Sequence, residues 1–155
     1  MSTLPHIIVR AADELWAVPG AFAHSTHYVE SMVRIPFTPQ RSWAGMGLIE
    51  GQAHVVILLK DYVSPSSSKS AARPLPKNSW LILLEPMLWR TCLGVDHIVG
   101  YAEDLVVMKE DTQNAKAKRK SHWKGSPVWV LDMECLLSAF NLQVPNQVAQ
   151  ASHGT

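Results

Sequence analysis

Histidine is the residue type that most invites a chemical reading in this chain, with seven in 155 residues. His24 and His27 stand three apart, a ligand spacing only on a helix, and no cysteine or second pair lies beside them. They are expected to be surface histidines near a strand. Nucleophilic chemistry lacks its frame, since there is no G-x-S-x-G, no H-E-x-x-H and no P-loop pattern. Gly45-Met46-Gly47 is not followed by a third spaced glycine or by Lys-Ser/Thr, so no nucleotide cradle is expected there. Asp61, Asp96 and Asp132 fall at the ends of apolar runs, where an acid closes a turn or caps a helix. Cys92 sits in an apolar stretch and is expected to be a buried, inert thiol. These residues lead to the expectation of a non-enzymatic protein with no metal and no cofactor.

The elements that must position these residues read mostly as strands. His6–Arg10 and Glu14–Pro19 form a hairpin pattern, broken by Pro19-Gly20. Tyr28–Ile35 is extended up to Pro36. Met46–Ile49 and Ala53–Leu59 flank the turn Glu50-Gly51-Gln52. Val55-Val56-Ile57-Leu58-Leu59 is apolar at every position, which a strand buried on both faces requires. Trp80–Leu84, Leu88–Val95, Ile98–Val107 and Val128–Leu131 are strand-like as well. The period then changes. Met133, Leu136, Leu137 and Phe140 recur at helical spacing, with Asp132 placed as the cap. Two stretches lack periodicity and read as long loops: Ser64–Pro76, rich in Ser and Pro, and the basic Asp111–His122. Residues 144–155 read as a flexible tail. Gly51-Gln-Ala-His-Val-Val-Ile-Leu-Leu-Lys-Asp and Gly125-Ser-Pro-Val-Trp-Val-Leu-Asp loosely echo one another, which suggests a duplicated β-unit.

Composition narrows the class. The chain is 47% hydrophobic and 17% charged, too apolar for disorder and long enough for a real core. Two cysteines cannot make a disulfide framework, and they are expected to be reduced in a cytoplasmic protein. No targeting segment and no membrane-spanning run is expected. The net charge of +1 disfavours a dedicated nucleic-acid binder. The charge is uneven, however. From Lys109 to Lys124 there are six Lys/Arg against two acids, a basic patch on a mildly acidic body. Six tryptophans are many for this length. Trp16, Trp89 and Trp129 read as core, whereas Trp43, Trp80 and Trp123 border breaks in the pattern and could anchor a partner.

The order of these pieces resembles the CheW-like domain of bacterial chemotaxis coupling proteins. Glu14-Leu-Trp-Ala-Val-Pro is similar to the family's "YAIP"-type strand. Pro36 to Gly47 followed by Gly47-Leu48-Ile49 is similar to its "P…GLINLRG" passage, and Val55–Leu59 with Asp61 to "VVPVIDL". Leu93-Gly-Val-Asp-His-Ile98 is similar to "GLLVDSV", and Gly125 to Leu137 to the closing "LDLEKLL" strand and helix. The resemblance runs from about His6 to Phe140. It departs at "NLRG", where the chain has Glu50-Gly51-Gln52-Ala53, so that the family arginine is Gln52 or absent. The two long loops are additional length.

This resemblance implies an all-β fold with a short C-terminal helix, built as two packed five-stranded barrel-like, SH3-like subdomains interleaved within residues 1–143. It implies a cytoplasmic scaffold in two-component signalling and motility that couples chemoreceptor cytoplasmic tips to the regulatory domain of a chemosensory histidine kinase, without membrane insertion. The expected partner-binding residues are Glu50, Gly51, Gln52 and His54 at the turn, with Trp43 and Val33–Phe37 on its approach. The alternative reading is a β-barrel that binds nucleic acid, or another interaction module, through the basic 116–124 loop.

Overall fold

The computed structural model describes residues 5–29, 32, 43–64, 79–84, 90–103, 105–107 and 116–140. In chain order the elements are β1 (His6–Ala11), β2 (Glu14–Pro19), a 3-10 turn (Gly20–Phe22), β3 (Ala23–Val29), β4 (Trp43–Ile49), β5 (Gln52–Leu58) and α1 (Leu59–Val63). They continue with β6 (Ser79–Leu84), β7 (Thr91–Val95), β8 (His97–Ala102), β9 (Val106–Val107), β10 (Ala117–Trp123), β11 (Ser126–Leu131) and α2 (Met133–Ala139).

Two sheets result, ordered β8-β1-β2-β11-β10-β9 and β3-β6-β7-β5-β4. They repeat one plan. The hairpin β4–β5 sets β5 parallel to β7, which pairs antiparallel with β6, and β6 with β3. The hairpin β10–β11 sets β11 parallel to β2, which pairs antiparallel with β1, and β1 with β8. Each hairpin runs directly into a short helix, α1 or α2. The loose echo in the sequence is thus a structural duplication.

The turns explain why the hairpins form locally. Ile49 pairs with Gln52 and Trp123 with Ser126, leaving two-residue loops. Glu50 and Gly51 take φ of 51° and 79°, and Lys124 and Gly125 take 50° and 79°. Positive φ at both central positions matches the twist of the flanking strands, and glycine at the second position accepts it without a Cβ penalty. The β1–β2 hairpin makes the same kind of turn with Ala12 and Asp13, at 53° and 61°.

The core has three parts. The largest lies between the sheets and takes Ile7, Val9, Trp16 and Val18 from one and Ile57, Ile82, Leu84, Leu93 and Val95 from the other, closed by Leu59, Tyr62, Met133, Leu136 and Leu137 of the helices. A second cluster, Ile8, Ala17, Ala102, Val128 and Val130, lies on the other face of the first sheet. A third, Val29, Ile49, Val56, Leu81 and Cys92, lies on the other face of the second. Strands such as β1 and β5 therefore bury both faces, which is why Ile7-Ile8-Val9 and Val56-Ile57 are unbroken apolar runs. Asp132 caps α2 as expected, its carboxylate accepting from the Cys135 N–H at 3.1 Å.

Several expectations need correction. The basic stretch 111–122 is not a loop throughout, because Ala117–Trp123 is a strand. Ala117 and Ser121 are buried, Lys118 between them is exposed, and Arg119 and Lys120 are half-buried. Long cationic side chains can sit on a strand in this way, and they mask its apolar period. One sheet has six strands rather than five, through the two-residue β9. The strand expected over Ala53–Leu59 stops at Leu58, because Leu59–Val63 closes into a helical turn, and β3 starts at Ala23, earlier than the extended stretch read from Tyr28. The expected loop over residues 65–76, the tail 144–155, Trp89 and Val33–Phe37 lie outside the described residues.

Candidate functional site

The turn joining β4 and β5 projects from the second sheet. Glu50, Gly51 and Gln52 are all exposed, and nothing comes within 4 Å of the point where a Gly51 Cβ would stand. The turn is held rigidly by the Ile49–Gln52 pair and by the burial of Ile49. His54, expected beside these residues as a contact, is only 5% exposed. Its Nδ1 lies 3.0 Å from the Gln52 carbonyl, which can only accept, so that nitrogen carries the proton. His54 thus braces the backbone of Gln52 from within. Trp43 begins β4 opposite Ile57, at the far end of the hairpin from the turn. Six residue steps along the strand separate it from Ile49, about 20 Å at strand rise. The structure therefore groups Glu50, Gly51, Gln52 and His54 and leaves Trp43 apart.

Two features join the turn that the sequence reading did not place there. The first is β3. His24, Ser25 and His27 line a cleft of about 240 Å³ together with Ile49, Glu50, Gln52, His54 and Leu83. β3 and β4 are the two edges of their sheet, so this cleft exists because the sheet curls. Ser25 Oγ and His27 Nε2 are 2.7 Å apart within it. Among the described residues, no three His, Cys, Asp or Glu side chains are grouped so as to hold a metal ion. The second feature is apolar. Leu48 is 68% exposed and Met46 37%, next to the turn on the outer row of an edge strand. The alternation Gly45-Met46-Gly47-Leu48-Ile49 carried that signal, because it sends Met46 and Leu48 to the face opposite buried Ile49.

The basic 116–124 region forms β10 and the turn into β11, the duplicate of the β4–β5 hairpin. Trp129, read as core, is half-buried; its Nε1 donates to the Glu14 carboxylate at 2.6 Å, and its ring lies 6.4 Å from that of buried Trp16. Trp80 is half-buried against the shared core, with its ring 5.3 Å from the exposed Tyr28 in an edge-on arrangement.

The two curled sheets sharing a central core, each with a hairpin leading into a short helix, define the CheW fold. Among solved structures, the scaffolding protein TtCheW from Thermoanaerobacter tengcongensis is similar to this chain, with a TM-score of 0.63 and 19% sequence identity over 86% of each chain. No protein-family model and no curated protein matches the sequence.

Proposed function

We propose that this chain is a non-enzymatic cytoplasmic scaffold that couples chemoreceptor tips to the regulatory domain of a chemosensory histidine kinase. The carrying observation is its fold, shared with a protein described as a scaffolding protein. The contact surface in this reading is the tip of the β4–β5 hairpin. Glu50 and Gln52 supply polar contacts, Leu48 and Met46 supply apolar area, and Gly51 allows the turn. His54 serves from behind by fixing Gln52. An exposed apolar side chain beside polar groups on a rigid turn is the arrangement that interface hot spots use. Among the described residues no helix is long and apolar enough to cross a membrane.

The test is titration calorimetry of the purified chain against the regulatory domain of a chemosensory kinase. Leu48→Glu with Gln52→Glu should weaken binding by at least about 1 kcal/mol while the circular-dichroism spectrum and melting point stay near wild type. Gln52→Arg, which restores the residue of the resembling family, should strengthen it. A folded double variant that binds as tightly as wild type would move the interface away from this turn. Failure of the wild-type chain to bind any chemosensory kinase would overturn the scaffold reading itself, as would a turnover abolished by one point substitution.

A further inference from the structure

The two duplicated hairpins present opposite chemistry at matching positions. Where β4 carries Met46, Leu48 and Glu50 on its outer row and turn, β10 carries Lys120, His122 and Lys124. Lys120 pairs across the hairpin with Trp129, and His122 with Pro127, so both share one face, while Ser121 and Val128 face the buried side. Lys118 and Lys124 are exposed. The Lys120 ammonium lies 5.3 Å from the centre of the Trp129 ring and that of Lys124 4.7 Å from the centre of Trp123. Among the described residues, no carboxylate is paired with Lys118, Lys120 or Lys124. Lys118, Lys120, His122 and Lys124 therefore gather on one strand and its turn, Lys120 and Lys124 over indole rings, and the nearby Glu14 carboxylate is engaged by the Trp129 Nε1–H.

We propose that the outer face of the β10–β11 hairpin docks an acidic, extended segment of a partner protein. Lys120 and His122 stand two residues apart on β10, about 6.8 Å at strand rise, which equals the spacing of alternate side chains on an extended chain, and Lys124 adds its charge from the turn. Carboxylates at alternate positions of such a segment match Lys120 and His122, and a further one meets Lys124 at the turn. Single-stranded nucleic acid fits less well. Base stacking needs a free aromatic face, and both indoles here carry a lysine over one face. The Trp123 ring also packs against Gly100. This surface is separate from the Glu50 turn, so it stands or falls independently of the kinase contact.

The probe is a fluorescein-labelled peptide of about 12 residues alternating Glu and Thr, with a Gln-Thr peptide and oligothymidylate of similar length as comparisons, read by fluorescence anisotropy at low salt. Saturable binding of the Glu-Thr peptide is expected, with little binding of the Gln-Thr peptide. The triple variant Lys118→Glu, Lys120→Glu, Lys124→Glu should lower the affinity at least about tenfold. Arg10→Glu with Lys60→Glu, at two exposed cations elsewhere, should leave it within about twofold. If the triple reversal does not fold, as judged by circular dichroism, Lys→Gln at the same three positions carries the test. The proposal is overturned by absence of saturable peptide binding, by equal loss in both sets of variants, or by tighter binding of oligothymidylate than of the acidic peptide.

Discussion

The indole of Trp123 lies flush against the backbone of Gly100: a Cβ placed on that glycine would stand 2.8 Å from Cη2 and 2.9 Å from Cζ2. Gly100 belongs to β8, at one edge of its sheet, and Trp123 to β10, near the other. Their contact shows how far that sheet curls. The ring covers the cluster of Ile8, Ala17, Ala102, Val128 and Val130, against which it packs. A side chain at position 100 must therefore displace it.

Gly100→Val should destabilise the fold by about 1–3 kcal/mol, the usual cost of overpacking a filled core. Thermal melts should show it as a fall of roughly 2–4 °C per kcal/mol for a domain of this length. Combined with Trp123→Ala, the loss should be smaller than the sum of the two single losses, because the ring that clashes is gone. Strict additivity would mean that the contact does not constrain the sheet.

Gly51→Val and Gly125→Val test a different cost. No atom lies within 4 Å of either Cβ position, yet both residues hold φ at +79°. The penalty is thus backbone strain alone, about 1–2 kcal/mol for an L-residue in the left-handed region. Asparagine should cost less at both sites. Urea denaturation should show a lowered midpoint with an unchanged slope, and similar losses at the two positions.

Asp132→Ala removes the side-chain bond to the Cys135 N–H and with it the cap of α2. A loss of about 0.5–2 kcal/mol is expected, most of it spared by Asn, which can still accept that bond. Because α2 supplies Met133, Leu136 and Leu137 to the shared core, denaturant unfolding should remain a single transition at a lower midpoint.

Burial pushes the Cys92 thiol from its ordinary 9.0 up to about 12. The unfolded chain ionises first as pH rises, so the native state keeps its full stability below pH 9 and loses this contribution between pH 9 and about 12. Tyr62 acts in the same direction from pH 10 upward, its phenol held protonated by burial first and then by its hydrogen bond to Cys135 Sγ. Denaturation midpoints should therefore fall through this alkaline window, and less steeply in Cys92→Ala. In the native state a thiol reagent should modify the half-exposed Cys135 well before Cys92. Fast labelling of Cys92 would show that its strand opens locally.

How much of this could be read from the chain differs from element to element. The β1–β2, β4–β5 and β10–β11 turns, the unbroken runs Ile7–Val9 and Val55–Leu58, and the Asp132-capped helix follow from backbone preference and apolar period over a few neighbouring residues. So does the loose repeat around Gly51 and Gly125, because each copy encodes the same hairpin and helix. Tertiary structure alone decided the parallel pairings of β2 with β11 and of β5 with β7, which join residues far apart in the chain. It made a strand of Ala117–Trp123, where cations hide the period until β11 supplies hydrogen bonds and the core takes Ala117. It also turned His54 inward against the Gln52 carbonyl, left Trp43 at the other end of its hairpin, and brought His24 and His27 to the Glu50 turn. Local sequence sets what a segment can form, but which face is buried and which distant edge curls back beside it depends on the free energy of the whole packed core.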